Sequence, residues 1–300
     1  MKRWFWAATI CVALGAVGTA ALVRAAAPAA AGGRARATAR AASRTAPGAE
    51  LFYRQLPAGL RVPASGAGRQ ILAAYGAMFV ARGVRLPPVV MFPNAAACRA
   101  WQSRVPQLRR RIYGHWVDLQ VRSMQALLAA EQAARRRGLK IVPRGHGASR
   151  RDYAGTVSLW RSRVNPGLRY WVARRRLSPL RAAAIRRMPI GRQVGVILEL
   201  QTQGMFFSLG ESKNILYSVA APGSSQHIAM LALDVQDTAN PELRRILEAH
   251  GWFQTVISDT PHFTYLGLPR SQLPSLGLKR VLWGGRPFWV PNLGPPVPPA

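Results

Sequence analysis

The sequence predicts an α+β fold in which helices pack on a central antiparallel sheet. Three observations point there. Hydrophobic residues make up 49% of the 300-residue chain and charged ones only 18%, enough apolar surface to close a core. Apolar residues recur at helical spacing through the middle of the chain. The C-terminal third then changes to period-two alternation and hairpin signals, and helices followed by mostly adjacent strands indicate an antiparallel sheet.

Taken in order, the chain opens with Lys2 and Arg3, an apolar run from Trp4 to Val23, then Arg24 and Ala25-Ala26-Ala27. A positive start, an apolar stretch and a small-residue exit over residues 1–27 form the signature of a secretory signal. The run is also long enough to remain as a membrane anchor. Either way the rest is expected to be exported, to a periplasm, a cell wall or an extracytoplasmic membrane face. Cys11 lies inside the run rather than at its end, which argues against a lipoprotein site. Residues 28–48, rich in Ala, Arg, Gly and Ser, read as a flexible linker.

Folded sequence is expected from near Leu51-Phe52-Tyr53, with residues 49–116 forming an N-terminal helical extension. Cys98 sits there in an amphipathic helix, where a buried bystander thiol is the better reading than a nucleophile. It is the only cysteine beyond the signal, so no intramolecular disulfide can form. A long helix is predicted from Val117 to Arg137, stopped by Gly138, followed by a short strand at Leu139–Val142 and a Pro/Gly loop at Pro143–Gly147. Further helix is predicted from Tyr153 toward Arg163, around Leu168–Val172, and at Pro179–Arg187.

Beyond these, Ala229–Val235 alternates, with Ala229, Leu231, Leu233 and Val235 on one face and Met230, Ala232 and Asp234 on the other. A helix at Pro241–Ala249 follows, capped by Asn240 and stopped by Gly251. Strands at Phe253–Ile257 and His262–Leu266 flank a turn at Ser258–Pro261. A last hairpin pairs Val281–Trp283 with Pro287–Val290 through Gly284-Gly285. The domain so read spans residues 117–292, with a Pro-rich tail at 293–300.

The formal net charge is +31, nearly all from Arg. Such a surface suits polyanions. Export removes nucleic acid as an expected partner and leaves anionic wall polymers or a membrane surface. The arginines are scattered rather than striped, so a compositional bias without a dedicated partner explains them equally well.

Acidic residues number only 11, yet two flank the two most informative histidines. One segment is Pro222-Gly223-Ser224-Ser225-Gln226-His227, running on to Asp234. The other is Asp259-Thr260-Pro261-His262-Phe263. Two histidines and one carboxylate would supply three protein ligands to a catalytic Zn2+ and leave a fourth position open. Asp234 stands beside the small Ala232, and Pro261 sets the direction of His262. Asp259, three residues before His262, is placed to act as a general base. Taken singly, each of these residues is more simply a hydrogen-bonded structural group; the joint pattern carries the metal reading.

These segments resemble the Ser-x-His-(six residues)-Asp and Glu/Asp-x-x-His signatures of the D-alanyl-D-alanine carboxypeptidase family, zinc peptidases of the VanY and VanX type. The Asp-x-Pro-His form is similar to the branch that contains L-alanyl-D-glutamate endopeptidases. The resemblance implies that His227, Asp234 and His262 are the zinc ligands, that Asp259 is the catalytic base and that Ser225 contacts substrate. A helix ending in Gly251-Trp252 fits the family pattern between the signatures. Arg151-Asp152-Tyr153 is similar to the family's Arg-Ser-Tyr segment, which implies that Arg151 holds substrate, with Arg150 as its competitor. Met230 departs from the family's usual Gly, Thr156 from its usual Gln, and the stretch between Trp160 and Ser218 is longer.

The implied fold is a D-Ala-D-Ala peptidase-like sheet carrying the zinc site. The implied activity is hydrolysis of peptidoglycan stem peptides, carboxypeptidase first and L-alanyl-D-glutamate-type endopeptidase second. Two rivals stand beside it: a non-catalytic peptidoglycan-binding envelope protein, and a polyanion-binding protein that uses its arginines.

Overall fold

The computed structural model describes residues 47–61 and 66–293. The signal or anchor reading of residues 1–27, nearly all of the linker and all but the first residue of the tail lie outside them. Among the described residues no helix is long and apolar enough to cross a membrane. The chain is mixed helix and sheet: eight α-helices and three small antiparallel sheets among the described residues.

Residues 47–120 hold α1 (Pro47–Gln55), α2 (Gly66–Tyr75), α3 (Ala95–Gln102), and the strands β1 (Gln107–Ile112) and β2 (His115–Gln120). Asn94 caps α3 by accepting from the Ala97 N–H, and Cys98 is buried within it. The helical reading of 49–116 therefore omits a hairpin. Its arginine-rich strand, Gln-Leu-Arg-Arg-Arg-Ile, has little apolar content to announce itself. Tyr113 and Gly114, both at positive φ, close the turn, as a two-residue hairpin loop requires.

The predicted helix at Val117–Arg137 is in fact strand, then helix. Val117 and Leu119 are fully buried while Trp116 is exposed, the alternation of a half-buried strand. The helix α4 begins only at Val121 and ends at Arg135. The strand expected at Leu139–Val142 reduces to one bridge, Pro143 to Val235. Pro143 has no N–H to extend a ladder.

Three helices follow: α5 (Tyr153–Ala173), α6 (Pro179–Arg187) and α7 (Ile190–Thr202). The first two match the predicted positions, and α5 runs through both stretches read as separate. It starts at Asp152, whose carboxylate accepts from the Gly155 N–H at 2.7 Å. The sequence reading did not foresee α7, which buries Val194, Ile197, Leu198 and Leu200.

In the C-terminal third β3 (Ala232–Asp234), β5 (His262–Tyr265) and β4 (Trp252–Phe253) form the sheet order β3-β5-β4, with Asp234 directly opposite His262. Both flanking strands are shorter than predicted. Met230 lies at φ 54°, so the extended run cannot begin before it. Ala229 to Leu233 are all fully buried, so the two expected faces do not separate into inside and outside. The helix α8 (Pro241–Ala249) matches its prediction, with the Asn240 side chain accepting from Glu242 and Leu243. The hairpin β6 (Leu278–Trp283) and β7 (Arg286–Pro291) closes through Gly284-Gly285, as read.

One apolar cluster joins Phe52, Leu72 and Phe79 to Trp160, Leu198, Leu233, Trp252 and Trp289. Residues 47–116 are thus built into the same core as the sheet. Gly223, at φ 85°, lies so close to Phe92 that a Cβ there would fall 2.3 Å from the Phe92 oxygen, and the Phe92 N–H donates to the Gly223 carbonyl at 2.9 Å. The early segment thereby braces the loop that leads to His227.

Candidate metal centre

Three side chains converge at the edge of the β3–β5 pair. His227 stands on the tight turn before β3, Asp234 ends β3, and His262 opens β5. His227 Nε2 lies 3.2 Å from His262 Nδ1. Asp234 Oδ1 is 3.3 Å from His227 Nε2 and 3.2 Å from His262 Nδ1. Both histidines are buried, and Asp234 is about one-fifth exposed, with its side chain at 21%.

The far nitrogen of each ring decides what the near one carries. His227 Nδ1 faces the Ser149 carbonyl at 2.7 Å, which can only accept, so the proton sits on Nδ1 and Nε2 keeps its lone pair. His262 Nε2 faces Gln226 Oε1 at 2.6 Å. The Gln226 amide is oriented by its own Nε2, which donates to the Tyr75 carbonyl at 2.9 Å, so Oε1 is the atom that meets His262. A neutral His262 ring with its proton on Nε2 would turn the Nδ1 lone pair inward.

With both rings neutral and so oriented, two nitrogen lone pairs and a carboxylate oxygen face one another with no proton among them. That arrangement repels itself unless a cation sits within it. The separations agree. Tetrahedral ligands held about 2.0–2.1 Å from an ion stand about 3.3–3.4 Å apart, whereas charge-assisted hydrogen bonds are shorter, about 2.7–2.9 Å. The group His227, Asp234, His262 can hold a metal ion.

Electrostatics favour the ligand-competent forms. Burial lowers the His227 imidazole to about 4, against the pull of Asp234, so the ring is neutral at neutral pH. Burial pushes the Asp234 carboxyl up, but the charge and hydrogen bonds that the two imidazoles, His227 foremost, offer when protonated hold it well below the usual carboxylate range.

The centre lies in a cleft of about 330 Å³ that also exposes Arg151, Ser225 and Asp259. All six sequence-predicted residues come together there. Arg151 Nη2 reaches Asp234 Oδ2 at 3.4 Å, and its backbone N–H donates to the His227 carbonyl. Arg150 turns away to Gln102 and Gln107, which separates the two competing arginines. Ser225 Oγ accepts from the His227 N–H. The Asp259 carbonyl accepts from the His262 N–H at 3.2 Å, while its carboxylate has no hydrogen-bond or ion-pair partner among the described residues; burial pushes that carboxyl up, with His262 opposing. Thr156 lines the cleft with its hydroxyl tied to the Tyr153 carbonyl at 2.6 Å. Met230 does not line it: it is fully buried, and its carbonyl accepts from the Gln120 N–H at the start of α4. Cys98 does not line the cleft, and burial pushes its thiol up.

The sequence reading missed Ser149, Gln226, Tyr75, Arg144 and Arg163. Ser149 and Gln226 set the histidine tautomers and the other three line the cleft. Tyr75 lies 151 positions before Gln226, and no local pattern links the two.

Comparison of the chain with protein-family models, curated proteins and solved structures finds no match.

Proposed function

We propose that this chain is a zinc-dependent peptidase that hydrolyses peptidoglycan stem peptides, releasing a terminal D-alanine. The observation that carries this reading is the close triangle of His227 Nε2, Asp234 Oδ1 and His262 Nδ1 inside an open cleft that also holds the Asp259 carboxylate. Two imidazoles and one carboxylate, with room for a further ligand, form the donor set of a catalytic rather than a structural zinc. When bound, zinc supplies a Lewis acid for the scissile carbonyl and lowers the pKa of water.

The protein's own groups do the rest. Asp259, whose carboxyl burial pushes up, takes a proton from the attacking water and returns it to the leaving amine. Arg151 is fixed by its backbone bond to His227 and by Asp234, with its planar fork at the cleft wall, where it orients a substrate carboxylate. Ser225 offers its hydroxyl beside the first ligand. The D-alanyl-D-alanine assignment rests on the resemblance of the two signatures and on this agreement of roles.

The test is metal analysis of the purified full chain together with product analysis on stem pentapeptide. One zinc per chain and D-alanine release are expected. Asp259→Asn should keep the zinc and lose about 10²- to 10⁴-fold in rate. Cleavage nearer the N-terminus of the stem would move the assignment to the endopeptidase branch. Zinc without turnover would favour a binding protein, and no zinc would sink the reading.

A further inference from the structure

We propose that Arg163 forms a second carboxylate subsite in this cleft, so that the preferred substrate carries an acidic group besides its terminal carboxylate. This rests on the peptidase reading and names the substrate class for the same site.

The cleft is lined by three guanidinium groups, Arg144, Arg151 and Arg163, and by two carboxylates, Asp234 and Asp259. The formal balance is 3 − 2 = +1 with neutral imidazoles, and a divalent ion raises it to +3. One terminal carboxylate leaves most of that charge unanswered.

The three arginines differ in their surroundings. Arg151 is already paired with Asp234 at 3.4 Å. Arg144 is exposed and screened by water. Arg163 is half-buried and faces no carboxylate within ion-pair distance among the described residues. Its Nε donates to Ser218 Oγ at 3.1 Å and its Nη1 to Ser162 Oγ at 2.9 Å. Two neutral hydroxyls therefore fix the plane of the guanidinium without neutralising it, and Nη2 keeps no partner among the described residues. A partly desolvated cation held in this way is costly until an anion arrives, and a planar fork with a free edge suits a carboxylate.

Position along α5 sets the reach. Thr156, Leu159 and Arg163 all line the cleft, at the i, i+3, i+7 spacing of one helix face. Arg163 thus stands about 10 Å along the axis from Thr156, the span of roughly three residues of extended peptide. Arg163 and Ser218 also lie at the two ends of the long stretch that follows Trp160, so that stretch leaves from and returns to this wall of the cleft.

The experiment is calorimetric binding to the zinc-loaded full chain in an Asp259→Asn background, where turnover is suppressed. The probes are acetyl-D-Glu-L-Ala-D-Ala-D-Ala and its D-Gln counterpart. The acid should bind about tenfold or more tightly than the amide. Arg163→Gln should bring the ratio close to one while zinc content is unchanged, and Arg144→Gln should leave most of the ratio in place. Equal affinities, a ratio that survives Arg163→Gln, or no binding of either peptide would overturn the subsite. Turnover by the native chain separates the two claims. Turnover with equal KM for acid and amide leaves a peptidase without this subsite; a binding ratio without turnover leaves the subsite without the peptidase.

Discussion

Two antiparallel strand pairs among the described residues set a carboxylate directly opposite a cationic or basic side chain, and only one of them belongs to a group that could hold a metal ion. In β1–β2, Asp118 stands opposite Arg109; in β3–β5, Asp234 stands opposite His262. The first pair is 3.8 Å apart, its arginine 61% exposed and stacked over Trp116. The second is 3.2 Å apart, its histidine 4% exposed and fixed from behind by Gln226. Cross-strand register supplies proximity in both. What separates them is burial and the acceptor on the far side of the ring, which turns a contact into a set of lone pairs.

The largest expected effect tests that difference directly. If the β3–β5 pair holds zinc, chelator should lower the stability of the native chain by about 4 kcal/mol relative to free zinc at a thousandfold excess over its Kd. Thermal unfolding with and without chelator measures it. Asp234→Ala should erase the chelator response, whereas Asp118→Ala should keep it whole.

The second prediction concerns how each histidine is held. Ser149 orients His227 with its backbone carbonyl, while its hydroxyl accepts from the Asp118 N–H at 2.9 Å in the other strand pair. Gln226 orients His262 with its side chain. Gln226→Leu should therefore weaken zinc about 10- to 100-fold in a competition titration, and Ser149→Ala should change it by less than about threefold. A reversed order would mean that tautomer control is not what prepares this centre.

The contrast also explains what the sequence could disclose. The His227, Asp234, His262 group was legible because metal donors are chemically rare in this chain and sit in two short segments, around His227 and around His262. Helices α6 and α8 were legible because Ser178-Pro179 and Asn240-Pro241 spell out their starts. β1 was not, since three consecutive arginines conceal its alternation and the pairing is settled only by β2. The strand before Asp234 was overextended because Met230 adopts a backbone conformation that its residue type does not advertise. Gln226, Tyr75 and Arg163 reach the cleft through contacts distant in sequence, which no window of residues contains.

Glu248 lies between the two extremes and sharpens the comparison by a smaller amount. Its side chain is 16% exposed and accepts from Arg270 at 3.4 Å. Burial pushes its carboxyl up, and Arg270 and Arg244 only partly oppose this. An acid whose pKa is raised on folding binds its proton more tightly when folded. Stability therefore declines as pH rises from the ordinary glutamate value through the raised one. Glu248→Gln should remove that slope and change stability at neutral pH by no more than about 1 kcal/mol, read from urea unfolding between pH 4 and 7.

The smallest effect belongs to the exposed pair. Asp118→Ala removes a carboxylate that meets Arg109 at 3.8 Å in water, where such pairs contribute about 0–1 kcal/mol and fade with salt. The Asp118 N–H still donates to Ser149 Oγ in the variant, so the link to the His227 side of the centre persists. The expected result is a change below about 0.5 kcal/mol in urea unfolding, smaller still at high salt, with zinc affinity unaltered. A loss of zinc affinity in this variant would show that the Asp118 carboxylate itself couples the two strand pairs. The β1–β2 hairpin would then be part of the site's support.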